Sequence, residues 1–224
     1  MTPPATIARN RTSPGFTLVE LLAVVAIVGV LLAVGASMMS NSPAQARKAG
    51  MDVLQATIEQ ARTQAITKRS HTVLAIVNPG DSPGSDPRSQ RLGLFEVLDW
   101  PEDDLVNVTQ LDVRQLGRWR TFEPGLMLID GVPASGLPNP MDAPPMQLNI
   151  AHAAGAGQSL EARVLVFHPR GGIRLPVGSE PVSLRLAEAS FRDGTMVPRS
   201  RDGAIAESSL QIGRVVARPY RNDG

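Results

Sequence analysis

Gly15-Phe16-Thr17-Leu18-Val19-Glu20-Leu21-Leu22 opens the stretch on which the reading of this chain turns, and the run continues as AVVAIVGVLLAVGASMM to Met39. From Leu21 to Ala36 no charged or strongly polar side chain occurs in 16 residues. The 24 residues from Phe16 to Met39 would form a helix about 36 Å long, enough to cross a hydrocarbon core of ~30 Å. Upstream, Met1 to Gly15 is a polar leader with Arg9 and Arg11 and no acid. The positive-inside rule therefore puts the N-terminus in the cytoplasm and the rest of the chain outside. Glu20 stands at the edge of the apolar run. A carboxylate costs ~2.5–3.5 kcal/mol at the centre of a membrane helix, less near its edge, so it ordinarily has a partner and a function. A signal peptide cut near Gly35-Ala36-Ser37, or an uncut signal anchor, would account for the apolar run. Neither needs Gly-Phe before it or Glu20 within it.

Gly15 to Leu22 resembles the cleavage and methylation motif of the type IV prepilin family: a small residue, Phe, Thr, Leu, an aliphatic residue, Glu, then a long apolar run. The resemblance implies cutting between Gly15 and Phe16 by a membrane prepilin peptidase on the cytoplasmic side, and N-methylation of the new Phe16 amine. It also implies that Glu20 pairs with the N-terminal amine of a neighbouring subunit in a filament and sets the register between stacked helices. Cleavage would remove Arg9 and Arg11 from 22 basic residues set against 21 acidic ones, leaving a formal side-chain charge of −1. Many family members carry a helix-kinking proline near position 37. Here the first proline after the run is Pro43.

Composition narrows the remaining classes. In 224 residues there is no cysteine, which excludes a disulfide scaffold, a thiolate metal site and a cysteine nucleophile. Aromatic residues are 4% and the formal net charge is +1, a poor basis for stacking bases or attracting polyanions globally. Gly and Pro together make up about 17% of the chain, above the average of roughly 12%, which predicts many loops.

After Asn41-Ser42-Pro43, a break signal, Met51, Leu54, Ile58, Ala61 and Ala65 recur at spacings of 3 and 4, an amphipathic helical stripe suited to packing on a sheet. Beyond Ser70 the pattern predicts strands at 72–77, 91–98, 119–129, 146–150, 163–167, 173–177, around Leu184 and Leu186, and at 210–217. Segments 78–90, 131–145, 153–158 and 192–209 read as surface loops. The expected fold is α+β and pilin-like: a long N-terminal helix packed on an antiparallel β-rich head. The divisions are a leader at 1–15, a transmembrane and assembly helix at 16–43, an amphipathic helix at 44–70 and a globular head at 71–224. The segment from Ala56 to Val77, the turn RVLVFHPRGG and the terminal IGRVVARPY also resemble the H-type minor pseudopilins and FimT-like minor pilins.

No catalytic or cofactor-binding constellation is found in the head. His71, His152 and His168 lack metal-ligand spacing, and there is no nucleophile elbow or phosphate-binding loop. Gly155-Ala156-Gly157 lacks the context of a dinucleotide site. Glu102-Asp103-Asp104 is a contiguous run with poor geometry for calcium. Arg114, Arg118 and Arg120, with Trp100 and Trp119, form the best basic-aromatic patch, though outward charges on a strand explain it as well. The expectation is a non-enzymatic minor pilin or pseudopilin without metal or cofactor, no nucleic-acid ligand being expected in this reading. Its partners would be prepilin peptidase and other pilins. It would cross the bacterial inner membrane once, with the head in the periplasm or outside, and enter a filament on assembly. A pilus-tip or DNA-uptake pilin, and a signal-anchored periplasmic enzyme, are the alternatives.

Overall fold

The computed structural model describes residues 17–38, 43–79, 86–101, 108–131, 133, 135–151 and 158–221, with the side chains of the first helix described through Leu31. Two compact units divide the chain, Met1–Ser42 and Pro43–Gly224. The first contains helix α1, Leu18–Met38. It is apolar on every side, and each large apolar residue from Leu18 to Leu31 is at least 47% exposed. Among the described residues no helix is long and apolar enough to cross a membrane.

The second unit begins with α2, Pro43–Lys68. Proline suits the first helical position, where its missing N–H costs no hydrogen bond. Lys68 lies in the last turn, where a cation complements the helix dipole, and Arg69 takes the left-handed conformation just beyond, at φ 53°. Met51, Leu54, Ile58, Ala61 and Ala65 are all buried, so the apolar stripe is the packed face. Gly50 belongs to it too: a Cβ there would come within 2.8 Å of the Leu186 and Leu126 side chains.

Fourteen strands follow among the described residues: β1 Thr72–Val77, β2 Arg91–Val97, β3 Gln110–Gln115, β4 Arg120–Thr121, β5 Leu126–Ile129, β6 Met146–Ile150, β7 Gln158–Phe167, β8 Ile173–Leu175, β9 Val182–Arg192, β10 Thr195–Pro198, β11 Ser200–Arg201, β12 Ala204–Ile205, β13 Glu207–Ile212 and β14 Pro219–Arg221. A short 3₁₀ turn, Pro140–Asp142, precedes β6.

Strands β1, β2, β3, β6 and β7 pair in that order, and β7 pairs back to β1, closing a five-stranded barrel. Strand directions cannot alternate all the way round a closed ring with an odd number of members. One neighbouring pair must be parallel, and it is β3 with β6. Parallel neighbours need a long crossover. Here the crossover carries β4, β5 and the 3₁₀ turn, and it delivers β5 to a second sheet, where β5 and β10 both pair with β9, followed by β13 and β14.

These features correct the expected α+β, pilin-like architecture. The unit is β-rich around a closed barrel with a parallel pair, rather than an antiparallel sheet laid on one long helix, and the two helices belong to separate units. The physical reason is visible in β1. All six of its residues are buried, because Val73, Ala75 and Val77 fill the barrel while Leu74 and Ile76 face α2 and the second sheet. Leu165 and Phe167 of β7 and Leu92 and Leu94 of β2 join that outer core, against Leu128, Leu184, Leu186 and Leu210.

Polar side chains fasten the layers. Gln90 is fully buried. Its Oε1 accepts from the Leu128 N–H at 2.7 Å and its Nε2 donates to the Leu128 carbonyl at 3.1 Å, so the side-chain amide stands in for a strand neighbour. Buried Asn139 donates to the Ile129 carbonyl at 2.8 Å and accepts from the Met141 N–H at 3.0 Å. Segment 131–145, expected as a loose loop, is therefore held internally where it is described.

Segment 192–209 was likewise expected to be a loop and contains β10, β11, β12 and the start of β13. Two Asp-Gly pairs make the turns. Asp193 and Gly194 lie at φ 49° and 83°, and Asp202 and Gly203 at 54° and 81°. Positive φ at both central residues is the signature of a type I′ hairpin.

Candidate processing and assembly site

The site singled out by the sequence is the start of the apolar helix. Gly15 and Phe16 lie outside the described residues. Thr17 and Glu20 are described, and they cap α1 reciprocally. Thr17 Oγ1 accepts from the Glu20 N–H at 3.3 Å, while Glu20 Oε2 accepts from the Thr17 N–H, also at 3.3 Å. The first helical bond, Leu21 N–H to the Thr17 carbonyl, measures 3.1 Å. This is a capping box, in which two otherwise orphaned backbone donors are satisfied by side chains four positions apart or fewer. The sequence reading gave Glu20 only an intermolecular partner. The signal it missed was Thr-x-x-Glu ahead of an apolar run.

Past the cap, α1 has no polar face, and its large side chains are exposed along the whole described length. An apolar surface this continuous, unlike scattered exposed residues, marks a membrane or protein interface.

The candidate patch of arginines and tryptophans in the head is not assembled. Trp100 stacks on His71 with ring centroids 3.9 Å apart, beside the start of β1. Trp119 lies over β2 beside Gly93. There it meets the Phe95 ring edge-on at 5.5 Å and sits beneath the Arg91 guanidinium at 4.9 Å. A Cβ at Gly93 would fall 2.5 Å from the Trp119 ring, so only glycine leaves room for this tryptophan. Arg114 donates to Glu96 at 2.6 Å, and Arg120 reaches α2, donating to Gln60 at 2.6 Å and to Thr57 at 3.1 Å. Arg118 is exposed. The Glu96 carboxylate also accepts from Lys68 and Ser70, each at 3.1 Å. Arg114 foremost, then Lys68 and Ser70, hold its carboxyl below the usual range against the opposing effect of burial.

Two of the three histidines meet. His71 and His168 pack edge to face at 5.1 Å, whereas His152 lies outside the described residues, as do Glu102, Asp103, Asp104 and Gly155 to Gly157. Burial, and then the neighbouring His168 and Arg174, lower the His71 pKa to about 4. Burial, followed by Arg170 and Arg174, lowers that of His168.

Comparison with known proteins agrees with the local reading of the N-terminus. Residues 10–36 match the family model for the prokaryotic N-terminal methylation motif. No curated protein and no solved structure matches the chain. The motif implies processing by prepilin peptidase and assembly with other pilins, and it indicates a type IV pilin-like or pseudopilin-type protein, anchored to a membrane or associated with a filament.

Proposed function

We propose that this chain is a non-enzymatic minor pilin or pseudopilin subunit of a type II secretion or type IV pilus filament, of the H-type or FimT-like kind. Prepilin peptidase cuts between Gly15 and Phe16, and the Phe16 amine is methylated. Residues 16–39, which extend beyond the described side chains of α1, then hold the subunit in the bacterial inner membrane as a single span, with the β-rich unit in the periplasm or outside. On assembly the apolar helix packs among those of other subunits, and the Glu20 carboxylate pairs with the Phe16 amine of a neighbour.

One observation carries this reading: the methylation motif at 10–36 runs directly into a helix whose apolar side chains find no cover in their own unit. Leaving that surface in water is costly at ~25 cal/mol per Å², and a membrane or a bundle of like helices removes the cost. The experiment is intact-mass and N-terminal analysis of membrane-extracted protein. Wild type should begin at methylated Phe16, and Gly15→Leu should keep the basic leader while still inserting. A mature N-terminus near Ser37, or retention of Met1 in the wild type, would overturn the reading.

A further inference from the structure

A cleft of about 680 Å³ opens between the first turn of α2 and the two Asp-Gly hairpins, lined by Pro43, Ala44, Arg47, Arg192, Arg199 and Arg201 among others. Its charge is strongly one-sided. The Arg47 guanidinium is paired with Glu188. Arg192, Arg199 and Arg201 are exposed, and none of them forms an ion pair among the described residues.

Backbone pairing holds the segments that present these arginines. Arg192 pairs with Thr195 across one turn and Arg201 with Ala204 across the other, and the Arg199 N–H is tied to the Glu188 carbonyl at 2.7 Å. Three guanidinium groups around one concavity suit phosphate oxygens, which they can bind in bidentate fashion.

We propose that this cleft clamps the phosphate headgroups of anionic phospholipids at the membrane surface; the inference rests on the membrane-anchored reading above. Two observations favour a lipid over other polyanions. First, Val197, more than a third accessible, pairs with Ser190 of the cleft wall, on the same face of the hairpin as Arg192. An exposed apolar side chain beside arginines fits the boundary between headgroups and acyl chains. Second, Pro43 and Ala44 in the cleft wall closely follow the apolar segment 16–39 in sequence. No aromatic ring lines the cleft, whereas single-stranded nucleic acid is generally held by such rings.

The test uses the full chain in lipid discs of phosphatidylcholine alone, and in discs with phosphatidylglycerol as one part in four, with amide exchange over 188–206 as the readout. Phosphatidylglycerol should slow exchange in both hairpins. In a titration with short-chain phosphatidylglycerol, the half-protecting concentration should rise about fivefold for each of R192Q, R199Q and R201Q and about a hundredfold for the triple variant. These side chains are exposed and outside the core, so the variants fold, as equal exchange in the barrel strands would verify. Equal exchange in the two disc types would overturn the clamp, as would equal protection by inorganic phosphate or protection by duplex or single-stranded DNA alone. A chain lost from both disc types would instead overturn the membrane reading. A chain retained in both without hairpin protection overturns the clamp alone.

Discussion

Substituting Glu20 by glutamine separates two roles that alanine would confound. In the structure Glu20 closes a capping box with Thr17 through two hydrogen bonds of 3.3 Å. Glutamine keeps a side-chain carbonyl for the Thr17 N–H and is itself a capping-box residue, but it carries no charge. Alanine loses both. Losing a cap costs about 1 kcal/mol, roughly fivefold in an equilibrium constant. A carboxylate and an amine ~4 Å apart in a medium of effective dielectric ~20 attract by about 4 kcal/mol, close to a thousandfold, before the desolvation that offsets part of it. If the charge carries assembly, Glu20→Gln should assemble almost as poorly as Glu20→Ala, and Thr17→Ala, which removes only the hydroxyl side of the box, should retain most of it. Cleavage should proceed in all three, because the cut bond lies upstream. The assay is crosslinking to other pilins in cells, normalised to processed protein by intact mass. A Glu20→Gln subunit that assembles like wild type while Glu20→Ala fails would refute the pairing and leave Glu20 as a helix cap.

Acid should destabilise the β-rich unit through His71, His168 and Glu96, whose lowered pKa values all act in the same direction. His71 stays neutral in the fold down to a pKa of about 4, whereas the unfolded chain takes up that proton near 6.5, so stability present above 6.5 is lost as pH falls towards 4. Glu96, lowered from 4.5, contributes stability above that value, lost as pH falls through its folded pKa. The thermal midpoint should therefore drop on acidification, with His71→Phe flattening the upper part of the limb; an unchanged limb in that variant would contradict the assignment. Gln90→Leu should strand the buried Leu128 N–H and carbonyl at about 1–3 kcal/mol each, measured by denaturant unfolding, and a loss below about 1 kcal/mol would mean Gln90 does not fasten β5 to the barrel.

Local patterns were legible wherever a single element sets them. The spacing of Met51, Leu54, Ile58, Ala61 and Ala65 marks the buried face of α2, and TVLAIV and MQLNI coincide with β1 and β6. Asp193-Gly194 and Asp202-Gly203 carried a hairpin signal that the density of polar residues around them concealed. Leu111 and Val113, alternating with Asp112 and Arg114, likewise mark β3, which composition alone assigned to no element. In the candidate patch, one-dimensional proximity misled. Arg114, Arg118, Arg120, Trp100 and Trp119 are near in sequence, but each tryptophan meets different partners, Trp100 the His71 ring and Trp119 the Phe95 ring and Arg91.

The sequence by itself determined the amphipathic face of α2, most of the long strands and the motif at the N-terminus, because each rests on side-chain type at short, fixed spacing. Only the tertiary structure decided that β7 returns to β1. That closure depends on pairing residues about ninety positions apart, such as Thr72 with Phe167, and no local period encodes it. Once five strands close, geometry demands one parallel pair, and the crossover it requires places β5 on β9. The same long-range pairing brings Arg192, Arg199 and Arg201 together with the first turn of α2, some 150 residues earlier in the chain, where the sequence shows only scattered arginines in a polar stretch.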